Sequence, residues 1–82
     1  MLDNSQLQRL LSLSDTDLRK KISEAAISAG ADKFMTAKAL ADMPKLRAMM
    51  SSLTPEQVNV LLSQLGPDAA KELAKRANTG NN

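Results

Sequence analysis

The chain has no cysteine, no histidine, no tyrosine and no tryptophan, and Phe34 is its single aromatic residue. Each absence excludes something. Without cysteine, an 82-residue fold has neither a disulfide staple nor a thiolate ligand for zinc, which points to a reducing compartment. Without histidine, the one side chain that titrates near neutrality of its own accord is missing, and without cysteine the most nucleophilic side chain goes with it. The remaining pairs, Asp15 with Asp17 and Lys71 with Glu72, fall at helix starts or solvent positions, where nothing shifts them toward acid–base work. We therefore expect no enzyme and no small-molecule substrate. Carboxylates spread over separate helix starts match neither zinc spacing nor a calcium loop, and three glycines make no phosphate cradle, so no metal and no cofactor is expected.

Long apolar runs are missing too. No stretch approaches the ~20 residues of a membrane span, and the opening Met1-Leu2-Asp3-Asn4 has neither the basic nor the apolar segment of a secretory signal. The expected home is the cytoplasm. With one aromatic residue, the core must come from Leu, Met, Ile, Val and Ala, which gives thin helix contacts in a chain already short of buried area.

What the chain does have is helix punctuation. Leu13-Ser14-Asp15-Thr16-Asp17-Leu18 and Leu53-Thr54-Pro55-Glu56-Gln57-Val58 repeat one device forty residues apart: a hydroxyl cap, an acceptor three residues on, and a flanking apolar pair. The cap oxygen accepts from a free first-turn N–H, the acceptor reaches back to the cap's own N–H, and the apolar pair staples the entry. Asp3 with Gln6 predicts a first helix over 4–11, Ser14 a second over 15–29 stopped by Gly30, and Asp32 a third over 33–42. Phe34, Met35, Ala39 and Leu40 are the apolar positions of that third helix. Met43-Pro44 opens a fourth, Pro55 a fifth, and Gly66-Pro67 turns the chain into a sixth over 67–77. Ile27 points away from its helix's apolar stripe. The fold class is therefore all-α, a bundle of five or six short helices over residues 1–77, with 78–82 a disordered polar tail. Its expected core is Leu10, Leu13, Leu18, Ile22, Leu40, Leu46, Met50, Leu53, Val58, Leu61, Leu62, Leu65 and Leu73.

Set against itself at an offset of forty, the chain pairs Leu10 with Met50, Leu13 with Leu53, Leu18 with Val58 and Ile22 with Leu62. The apolar skeleton repeats while identities are few. Two similar helical halves explain this, and so does the common physics of helix entry.

Three features bear on function. The segment from Ile22 through Gly30 to Leu40 resembles a helix-turn-helix, with Lys33, Thr36 and Lys38 on the would-be reading helix and Arg19 and Lys20 as phosphate contacts. Against it, Ala31 and Thr36 stand where that family has larger aliphatics, and Asp32 and Asp42 would face phosphate. A plain glycine-terminated helix accounts for the same residues. The basic triplet Arg19-Lys20-Lys21, backed by Arg9, suits an acidic partner or a phosphate backbone, although Lys20 with Glu24 and Asp17 with Lys21 neutralise much of it locally. The third is the cluster of Met43, Met49 and Met50. Leu46, Met49, Met50 and Leu53 form a helical stripe that reads as core, whereas an exposed methionine cluster is an adaptable docking surface.

Over residues 53–73, the string Leu53-Thr54-Pro55-Glu56-Gln57-Val58 through Leu61-Leu62-Ser63-Gln64-Leu65-Gly66-Pro67 resembles the short helical repeats in the amino-terminal domains of flagellar motor-switch proteins and bacterial magnesium transporters. The first half of the chain lacks the prolines of that pattern. The whole chain also resembles small helical proteins of Gram-positive bacteria. The first resemblance implies a helix-stacking interaction module. The expected function is burial of a leftover apolar face, Met43, Met49 and Met50, against a protein partner or a second copy, with nucleic-acid binding through residues 22–40 as the alternative.

Overall fold

A computed structural model describes residues 2–79. Among them are six helices and no strand: α1 (Asn4–Leu11), α2 (Asp15–Ser28), α3 (Lys33–Leu40), α4 (Met43–Ser52), α5 (Pro55–Ser63) and α6 (Ala69–Thr79). The all-α bundle follows from its caps. Asp3, Ser14, Asp32, Asp42 and Thr54 each accept a hydrogen bond from the amide of the third helical residue, and the boxes of Asp3 with Gln6 and Thr54 with Gln57 close in both directions. The expected box at Ser14 closes in one direction only: Ser14 Oγ accepts from the Asp17 amide at 3.2 Å. Asp17 is one methylene shorter than Gln57, which limits its reach back to the cap.

Boundaries of α3 and α6 also differ from the sequence reading. The third helix stops at Leu40 because Asp42 caps α4 instead, accepting from the Lys45 amide at 3.1 Å, and Pro44 occupies the proline-tolerant first turn. α6 starts at Ala69 and continues through Asn78 and Thr79, which the sequence assigns to the polar tail. Residues 80–82 of that tail lie outside the described residues.

α2 and α6 make the most extensive contact of the fold. Ala25 and Ala26 on one helix and Ala69, Ala70, Ala74 and Ala77 on the other are all buried, and such small side chains let two backbones approach closely. Around this pair the core gathers Leu7, Leu10, Leu18, Ile22, Met43, Met50, Val58, Leu62 and Leu73. At the end of α2, Gly30 adopts φ +69° while its N–H donates to Ile27 O and that of Ala31 to Ala26 O, the paired bonds of a Schellman stop. Gly66, in the α5–α6 turn, lies against that stop: a Cβ there would stand 3.4 Å from Ala31 Cα.

The core expected from sequence is right at eight positions and too generous at five. Leu13, Leu46, Leu53, Leu61 and Leu65 are only half-buried. Leu13 and Leu53 sit at helix entries, and the other three face an open groove. Leu2 is buried instead, because the Asn59 side chain holds its backbone. At the forty-residue offset, burial matches at all four pairs: Leu10 and Met50, Leu18 and Val58, and Ile22 and Leu62 are buried, while Leu13 and Leu53 are half-buried.

Candidate functional site

α5 packs chiefly on α6, and the short Leu53-Thr54 connection leaves it splayed from α4. A groove of about 420 Å³ opens between α3–α4 and α5. Its floor is core: Ile22, Met50 and Leu62 are each less than 5% exposed. One wall carries Met35, Leu46 and Met49, and the other Leu61 and Leu65. Met35 is 49% and Met49 39% exposed, so two flexible thioether side chains stand at the opening with nothing packed over them. Lys38, Asp42, Lys45 and Gln64 complete the rim.

The three methionines expected to act together are separated by the fold. Met43 is 2% and Met50 1% exposed, so both are core residues unavailable to a partner's surface, and Met50 serves only as groove floor. The reason is helical phase: Met43 and Met50 stand seven residues apart on the inward face of α4, and Met49 lies one step round. Met49 alone of the three is a surface group. On the same wall stands Met35, which the sequence places among the apolar positions of α3 without signalling that this face stays open.

The residues of the nucleic-acid alternative are also dispersed. Arg19 and Lys20 are exposed on α2, and Lys33 and Lys38 on α3. Thr36 is buried, and its hydroxyl donates to Asp32 O at 2.8 Å, so it cannot reach a base edge. Lys38 stands with its ammonium 5.6 Å from the Phe34 ring centroid, and that ring is 72% exposed. The third member of the basic triplet, Lys21, faces a different cleft with Arg9 and Arg76, a space of about 190 Å³ between α1, α2 and α6.

The two clefts are lined in part by residues forty positions apart. Met49, Met50 and Leu61 line the larger; forty residues earlier, Arg9, Leu10 and Lys21 line the smaller. The buried member of each trio stays apolar, whereas the outer two change from apolar to cationic.

Two arginines elsewhere are engaged in holding the fold. Arg47 donates to the carbonyls of Leu11 and Leu13 at 2.5 and 2.6 Å and pairs with Asp15 at 2.9 Å, tying the α1–α2 corner to α4. Arg76 pairs with Glu72 at 2.9 Å and donates to Ser28 Oγ at 2.6 Å. The hydrogen bond from Arg76, then that from Lys75, holds the Glu72 carboxyl below its ordinary range. Among the described residues, no three His, Cys, Asp or Glu side chains come together, and no helix is long and apolar enough to cross a membrane. No family model matches the chain, and neither a curated protein nor a solved structure does.

Proposed function

We propose that this protein is a small helical interaction module that binds through the groove between α3–α4 and α5. One observation carries the reading. Met35 and Met49, the two large apolar side chains that edge the groove, stay open to water beside half-buried Leu46, Leu61 and Leu65. Leaving that surface wet forgoes about 25 cal/mol for every Å² of apolar area that a partner would cover. Thioethers suit such a surface, because an unbranched, polarisable side chain re-packs around whatever enters. The chemistry of the rim supports binding over catalysis, since its titratable members are two lysines and a carboxylate already serving as a helix cap.

The nucleic-acid reading has less support. Thr36 is withdrawn from the surface, and Asp32 and Asp42 sit at both ends of the short α3.

A direct test is titration with a labelled helical peptide presenting leucines at i, i+4 and i+7, followed by anisotropy. Saturable binding that is lost in Met49→Asp, and absent for the same peptide with serines in place of the leucines, is the expected result. A protein that binds no such helix and stays monomeric by sedimentation at every concentration overturns the proposal.

A further inference from the structure

The groove specifies more than apolar contact. Resting on the proposal that it is a docking site, we infer that its occupant is an amphipathic helix of another protein, with carboxylates flanking the apolar stripe.

The occupant's backbone is decided by what the groove lacks. An extended segment needs a sheet edge to satisfy its amides, and no strand exists among the described residues. A polyproline segment needs aromatic walls, and the only aromatic ring, Phe34, does not line the groove. Walls of Met and Leu offer no ladder of donors and acceptors. A helix brings its backbone hydrogen bonds already made and asks only for an apolar trough, which these walls form.

The charge of the occupant is set by the rim. The α3–α4 wall carries Lys38 and Lys45, neither in an ion pair among the described residues, against the single acid Asp42. One Asp42 oxygen already accepts the Lys45 amide in capping α4. The α5 wall contributes Gln64 and no charge. Two ammonium groups beside a trough with low-dielectric walls leave a net positive potential along one side. A helix with Glu or Asp bordering its apolar face meets that potential favourably, and one with Lys or Arg is repelled.

A second copy of the chain fits poorly. The large apolar side chains exposed outside the groove, Ile27, Phe34 and Val60, lie on three different helices and form no stripe of their own. Phe34 is flanked by Lys33 and Lys38, so offering it to a neighbour's groove would bring lysine to lysine.

Three helical peptides with one leucine stripe and flanks of Glu, Gln or Lys separate the outcomes, with the methionine methyl resonances reporting where each binds. The Glu peptide is expected to bind about tenfold tighter than the Gln peptide at low salt, and the Lys peptide weakest. The gap should narrow as salt rises, Met35 and Met49 should shift, and Lys38→Glu with Lys45→Glu should invert the order. Equal binding of all three overturns the acidic partner and leaves the groove reading standing. A preference that survives the double lysine reversal also overturns it, since the selecting charge then lies elsewhere. Shifts of Met49 that grow with protein concentration in the absence of peptide assign the groove to a second copy. Failure of all three peptides removes both inferences together.

Discussion

Asn59 and Leu2, fifty-seven residues apart, hold each other through both halves of one side-chain amide. The Leu2 N–H donates to Asn59 Oδ1 at 3.0 Å, and Asn59 Nδ2 donates to Leu2 O at 3.0 Å and to Pro55 O at 2.9 Å. A mid-helix side chain thus completes the backbone of an N-terminal segment as a neighbouring strand would. It also explains how Leu2 stays buried ahead of the first helix.

Asn59→Ala leaves the buried Leu2 amide and carbonyl without partners, which costs about 1–3 kcal/mol per orphaned group. We expect a loss of about 2–3 kcal/mol, read as a lower urea midpoint at unchanged slope. Removing residues 1–3 should cost more than Asn59→Ala, because the buried Leu2 side chain and the Asp3 cap of α1 go with the hydrogen bonds, and adding Asn59→Ala to that truncation should cost little further.

Arg47 should matter more than its ion pair. It satisfies the carbonyls of Leu11 and Leu13 as well as Asp15, and Asp15 is half exposed. Arg47→Met is expected to destabilise by about 2 kcal/mol through the lost charge-assisted bonds to carbonyls. Asp15→Asn should cost no more than about 1 kcal/mol, as surface pairs do. Equal losses in thermal melts would show that the salt bridge, and not the corner, carries the energy.

Gly30 stands at φ +69°, and nothing lies within 4 Å of a Cβ placed there. The whole cost of Gly30→Ala is therefore backbone strain, about 1 kcal/mol. Gly30→Asn, better suited to the left-handed region, should recover part of it in chemical denaturation.

Acid should weaken the α6 ion cluster. The Glu72 carboxyl titrates below its unfolded range because Arg76 and Lys75 bond its charged form. A group with a lowered folded pKa contributes stability in full above the unfolded value, near pH 4.3, and loses it as pH falls through the folded one. The stability difference between the parent and Glu72→Gln should be constant near neutrality and fade below about pH 4. Salt should shrink it, because Lys75 is exposed and Glu72 and Arg76 are only half-buried.

The methionines give the sharpest contrast between fold and function. Met43→Ala or Met50→Ala removes a core side chain and should cost about 2–5 kcal/mol. Met49→Asp places a negative charge at the groove opening and should shift stability by less than about 0.5 kcal/mol while abolishing helix docking. A melting curve and a peptide titration on each variant check both halves of the statement.

Helix starts are legible in the sequence because capping is local chemistry: Asp3, Ser14, Asp32 and Thr54 act within three residues of themselves, and both partners stand side by side in the chain. The Ile27 side chain, expected to face away from its stripe, is 71% exposed. Whatever depends on distant partners is not legible. Asn59 looks like an ordinary helix residue until Leu2 is beside it, and Arg47 like a solvated charge until the α1–α2 corner arrives. The groove is hidden for the same reason. Leu46, Leu61 and Leu65 carry the signature of core positions, and only the splay of α5 from α4 turns them into a wall. The periodicity that marks a face as apolar does not say whether another helix comes to meet it.

The two clefts differ in the chemistry of their edges. Arg9 and Lys21, forty residues before Met49 and Leu61, put cations on the edge of the smaller cleft where the larger one has apolar side chains. On the proposed reading, an apolar helix should therefore saturate the protein at one peptide per chain, a ratio that the anisotropy titration reads directly.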